Sequence, residues 1–82
     1  MIYRSPWIIK LSKHAIDKAW FAGITDDMIK ATIINGRMKW FAKNNVDFVS
    51  RYKKGSVICR GQVKEVDTIL IFTVMWGDKH EE

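Results

Sequence analysis

The spacing of hydrophobic residues changes period along this chain, and each change marks an element. Pro6 can open a strand but cannot sit inside one. After it, Trp7, Ile9 and Leu11 alternate with Ile8 and Lys10, which predicts a short strand. Ser12 follows as a helix N-cap, since its hydroxyl can accept from the free N–H groups of a first turn. Ala15, Ile16, Ala19 and Trp20 then recur at helical spacing with Lys13, Asp17 and Lys18 facing out, and Gly23 closes the helix. Thr25 caps a second helix, reinforced by Asp26 and Asp27 where the helix dipole favours negative charge. Its inward stripe is Met28, Ile29, Thr32 and Ile33, and Asn35-Gly36 ends it. The short link between the helices predicts a hairpin.

Beyond Gly36 the period drops to two. Residues 39–42 form a short strand, with a tight turn at Asn44-Asn45. Val46, Phe48, Ser50 and Tyr52 alternate with Asp47, Val49 and Arg51. A turn at residues 53–56 leads to Val57, Cys59, Gly61 and Val63, which alternate with Ile58, Arg60 and Gln62. Residues 69–76 are apolar on both faces, which predicts a central strand covered on both sides. Residues 77–82 read as a polar, frayed tail. The expected fold is therefore α+β: an N-terminal short strand and a two-helix hairpin packed on one face of a mostly antiparallel sheet. The other face is partly open, and Arg51 and Arg60 lie on neighbouring strands able to present side chains there.

The 82 residues leave room for a single domain, 1–82. A core that small needs large side chains, and four Trp and four Phe supply them. The lone Cys59 cannot form an internal disulfide and points to a reducing compartment. Arg4, Ser5, Pro6 and Lys10 interrupt any leader-like apolar run, and the longest such run, residues 69–76, is far short of the ~20 residues a membrane helix needs. The expected location is the cytoplasm, with no membrane association.

Charge is uneven. Residues 37–64 carry eight basic side chains (Arg37, Lys39, Lys43, Arg51, Lys53, Lys54, Arg60, Lys64) against the single acid Asp47. A basic middle facing a polyanion is the functional reading, and a solvated lysine-rich sheet face is the plain one. Glycine-rich phosphate loops, paired cysteines and nucleophile elbows are absent from the sequence. His14, His80 and Cys59 lack the spacing of a zinc motif, so no metal and no cofactor is expected.

Three groups of residues carry candidate chemistry. His14, in the first turn of a helix whose positive end would favour the neutral imidazole, could take a proton from an RNA 2′-hydroxyl. It could equally bond a backbone carbonyl and seat the helix. Arg60 and Arg51 could hold a phosphate and stabilise charge on a phosphorane-like transition state, with Lys53 and Lys54 adding backbone attraction. Alternatively Arg60 pairs with Asp47 or Glu65. Among the aromatics, most of which must be core, Tyr52 and then Trp40 are the candidates for stacking on bases.

Leu11-Ser12-Lys13-His14-Ala15, Gly23-Ile24-Thr25 with Ile29, Asn35-Gly36 and the closing strand through Thr73-Val74 resemble the motifs of a widespread family of small domains grouped with the RelE-like and BrnT-like toxins. The likeness runs over about residues 8–75. It implies a RelE-like fold and metal-independent endoribonuclease activity, with RNA as substrate and an antitoxin protein as partner, the chain itself being a monomer or homodimer. It also places His14 at the family's histidine and Thr73 in its terminal Thr-Val pair. The family commonly carries an arginine where this chain has Ala22. The alternatives are a nucleic-acid-binding module without catalysis and a small homodimeric interaction protein.

Overall fold

The computed structural model describes residues 1–77. It is α+β. Strand β1 (Ile2–Arg4) and strand β2 (Trp7–Leu11) lead into helices α1 (Lys13–Ala22) and α2 (Asp26–Asn35). Strands β3 (Arg37–Phe41), β4 (Asn45–Arg51), β5 (Ser56–Glu65) and β6 (Thr68–Gly77) complete the chain. The six strands form one sheet in the order β1-β2-β6-β5-β4-β3. Every pairing is antiparallel except β2 with β6. A parallel pair requires a long crossover, and here both helices and three strands supply it.

Both helix starts follow from their caps. Ser12 Oγ accepts from the Ala15 N–H at 3.0 Å, and Thr25 Oγ1 from the Met28 N–H at 3.2 Å. At the end of α1, Gly23 adopts φ 74° and its N–H bonds the carbonyls of Ala19 and Trp20. α2 lies against β1, β4 and β5, and α1 against β6. The core between helices and sheet contains Ile9, Ala15, Ala19, Ile29, Ile33, Val46, Phe48, Cys59, Ile69, Ile71 and Val74. The sheet curls around α2, so that Trp7 on β2 and Trp40 on the far edge strand meet with ring centroids 5.5 Å apart.

Several local expectations are corrected. A further strand, β1, precedes Pro6; at 3 residues it is too short to show a period. The β3–β4 turn is residues 42–44, with Ala42 at φ 53°, and Asn45 already belongs to β4. Gly77 is not tail but the last residue of β6, paired with Ser56; the remainder of the expected tail, with His80, lies outside the described residues. In α1 only Ala15 and Ala19 are buried. Ile16 is 48% exposed and Trp20 80%, because the small alanines bring the helix close to the sheet and turn its neighbours aside. Those two side chains line a groove with Gly23, Ile24 and Thr25 instead. Central strand β6 is covered on one face only: Leu70 and Met75 are half-buried on the side away from the helices, and Phe72 is exposed there.

Candidate nucleic-acid interface

Strand alternation sorts the sheet residues onto two faces. Val46, Phe48, Cys59 and Val74 belong to the helix-side core, so their neighbours Asp47, Val49, Ile58, Arg60 and Thr73 turn to the open face. Register then assembles two rows across the strands. In one, Lys39 pairs with Asp47, Asp47 with Arg60, and Arg60 with Thr73. In the next, Phe41 pairs with Asn45, Asn45 with Gln62, Gln62 with Leu70, and Leu70 with Lys10. Arg37 and Arg51 stand beyond the first row, on the same face, flanking Val49.

Arg60 is the centre of this face. Its Nε donates to Asp47 Oδ1 at 2.9 Å and its Nη2 to Asp47 Oδ2 at 3.0 Å, a bidentate pair. The guanidinium also lies over the Phe41 ring, 5.3 Å from its centroid. Of the two readings of Arg60, the ion pair with Asp47 is the one the geometry contains. The pair holds the side chain upright at 38% exposure, so it is oriented as well as partly neutralised.

The other sequence candidates separate. Thr73 faces Arg60 directly across β5 and β6. Arg51 shares the face but stands four residues along β4 from Asp47, about 13 Å away at the rise of a strand. Lys53 and Lys54 are exposed in the β4–β5 turn, and Lys54 Nζ sits 5.0 Å from the Trp76 ring centroid. Tyr52 is half-buried against the helix-side core, edge-on to Trp76 at 6.4 Å. Trp76 in turn donates from Nε1 to the Ala22 carbonyl at 2.8 Å. Trp40 alternates onto the helix side and meets Trp7. The two aromatics expected to stack on bases therefore serve the other face. His14 is exposed on α1, with the sheet between it and Arg60. The structure does not bring His14, Arg60 and Arg51 into one site.

Sequence reading passed over Lys10, Phe41 and Phe72 on this face, and counted Arg37 and Lys39 only in the overall charge of residues 37–64. Arg37, Lys39 and Phe41 alternate with Met38 and Trp40, and starting the strand two residues earlier puts all three on one face. Phe72 alternates outward with Leu70 against the buried Ile69 and Ile71. It is the extra residue of a β-bulge between the pairs Arg60–Thr73 and Gly61–Ile71, so Phe72 and Thr73 both point outward.

Cys59 is fully buried on the helix side, and burial, helped by the charge of Asp47, pushes its thiol up to about 12. Such a thiol stays protonated and is no nucleophile at neutral pH. Among the described residues, no three His, Cys, Asp or Glu side chains gather around a common point able to hold a metal. No helix there is long and apolar enough to cross a membrane. No family model matches the chain, and neither a curated protein nor a solved structure does.

Proposed function

We propose that this protein binds RNA along the open face of its sheet. The observation that carries the reading is the charge difference between the two sides of the molecule. Lys10, Arg37, Lys39, Arg51, Arg60 and Lys64 alternate onto the open face against Asp47 and, past the second bulge of β5, Glu65. The helical layer, residues 12–35, holds Lys13, Lys18 and Lys30 against Asp17, Asp26 and Asp27, a balance of zero. A polyanion is drawn to one side only. Lys53 and Lys54 add positive charge at the β4–β5 turn, at the end of the sheet, with Lys54 over the helix-side Trp76. The resemblance to RelE-like and BrnT-like toxins supports RNA over DNA as the nucleic acid.

A second reading, a toxin-type endoribonuclease, is favoured by the facing of Arg60 and Thr73 at the centre of the strip. In that reaction the 2′-oxygen bonds to phosphorus and the bond to the 5′-oxygen breaks, leaving a cyclic phosphate and a 5′-hydroxyl. Arg60 would stabilise the developing charge. The 2′-proton needs an acceptor on the same face, and the carboxylate nearest Arg60 is Asp47, already tied to it. His14 stands on the other side of the sheet. Binding therefore ranks first.

The test is a salt titration of labelled single-stranded RNA binding for wild type, Lys39→Gln and Lys30→Gln, with the RNA run on a gel afterwards. Removing one phosphate-binding cation from the open face should lower the slope of log K against log salt by about 0.7. Lys39→Gln is expected to show that decrease and Lys30→Gln none. Equal slopes in all three proteins overturn the proposal. Cleaved RNA that becomes intact with Arg60→Gln moves the conclusion to the endoribonuclease.

A further inference from the structure

We infer that the open face takes single-stranded rather than duplex RNA, with Phe41 and Phe72 as the platforms on which bases stack. The inference rests on the RNA-binding reading above and names the form of nucleic acid that the face accepts. Phe72 carries the argument. Alternation with the buried Ile71 already turns Phe72 outward, and the bulge adds Thr73 to the same face beside it. Bulges concentrate where a side chain must be re-aimed, and their cost is a locally broken ladder. Here the break falls in a central strand and sets Thr73 beside Phe72, a phenyl ring left 37% exposed. Burying the exposed part of that ring would stabilise the fold. The fold forgoes that gain.

Phe41 is the second platform. It is 39% exposed at the other side of the face, three strands from Phe72, about 14 Å at the spacing of a sheet. The Arg60 guanidinium already rests on its ring, so the ring is held in place. Between the two lie the paired amides of Asn45 and Gln62. Amides both donate and accept, which suits the edges of unpaired bases. Lys64 Nζ donates to Gln62 Oε1 at 3.0 Å, fixing which end of that amide points away. The face thus has one row of charge, Lys39 and Arg60 with Asp47 between them, and beside it a row of ring and amide groups. Phosphates fit the first row and bases the second. A duplex keeps its bases stacked inside and offers the second row nothing to bind.

The experiment compares a fluorescein-labelled 12-nucleotide oligouridine with a 12-base-pair RNA duplex, by anisotropy across a salt series. Wild type, Phe72→Ala, Phe41→Ala, the gentler Phe72→Leu, and Phe72→Trp are measured, each checked for folding by circular dichroism. Stacking is worth ~1–3 kcal/mol per base by alanine substitution, so each alanine variant should lose about 5-fold or more on oligouridine. The salt slope should stay the same, because the cations that meet the phosphates remain. Phe72→Leu should also lose affinity, and Phe72→Trp should keep it, since apolar volume alone cannot replace a π-face. Duplex binding should be weaker than oligouridine binding in wild type and indifferent to every variant. Wild-type binding that is equal on both RNAs and unchanged by the Phe variants overturns the stacking inference while leaving the basic strip intact. No binding of either RNA by wild type overturns the RNA reading itself, and this inference with it.

Discussion

Arg4 joins the first strand to the end of α2, and its removal should be among the costliest single changes outside the core. The guanidinium Nη1 donates to the Ile33 carbonyl at 3.1 Å and to the Gly36 carbonyl at 2.6 Å. Ile33 lies in the last turn of α2 and Gly36 is its C-cap, at the end where carbonyls lack helical partners and the helix dipole is negative. The same group lies 5.9 Å from the centroid of the fully buried Phe48. Arg4→Met keeps most of the stem and removes both donors and the charge. Hydrogen bonds from a charged donor contribute ~1.5–3 kcal/mol each, and the site is only partly buried, so water recovers some of the loss. The expected destabilisation is about 2–4 kcal/mol. A domain of 82 residues has roughly 4–12 kcal/mol in all, so the change removes a large share. Urea unfolding followed by tryptophan fluorescence measures it. With a slope near ~1 kcal/mol per molar, the midpoint should fall by about 2 M or more. Arg4→Lys, whose flexible ammonium lacks the planar guanidinium that aims both Nη1 hydrogens, should recover less than half. A stability for Arg4→Met within about 0.5 kcal/mol of wild type would refute the idea that this bridge holds the strand to the helix.

Gly61→Ala should cost about 1–3 kcal/mol, since a methyl group there would meet Ile71 Cδ1 at 2.8 Å and the Leu70 carbonyl at 2.8 Å; thermal unfolding checks this. Trp20→Ser and Phe21→Ser should each shift stability by less than about 0.5 kcal/mol, because the rings are 80% and 87% exposed; a loss near that of a core aromatic, about 3 kcal/mol, would mean they are packed. Cys59 predicts a pH effect with a definite sign. Its thiol is raised from 9.0 to about 12 in the folded chain, so the native state keeps a proton that the unfolded state loses. Stability should be unaffected by this group below pH 9 and fall as pH rises above it, by at most ~1.4 kcal/mol per pH unit. Denaturation at pH 8 and pH 10 should show an excess loss in wild type that is missing from Cys59→Ala; parallel losses in the two proteins would sink the assignment.

The helices and their ends were legible because their signals are local. Ser12 and Thr25 cap as their neighbours require, Gly23 takes the left-handed conformation that suits glycine, and Ile29, Thr32 and Ile33 face inward at the expected spacing. The period-two run that became β4 and β5 likewise put Arg51 and Arg60 on one face, since alternation alone decides it. Composition was enough to place the positive charge in residues 37–64.

What needed the tertiary structure was which element each surface faces. Trp20 has helical spacing with Ala15 and Ala19, yet the close seat of the alanines on β6 leaves it outside. Tyr52 and Trp40 were the natural stacking residues by proximity to lysines, but the register of β4 and β3 turns them toward the helices. His14 and Arg60 are separated by the sheet, a fact that depends on which face receives α1. Thr73 joins Phe72 on the outer face because of one extra residue in the β5–β6 ladder. Caps and alternation are set by interactions within a few residues, so a sequence carries them openly. Register, bulges and the choice of covered face come from pairing between strands distant in the chain, where a shift of one residue reverses every side chain.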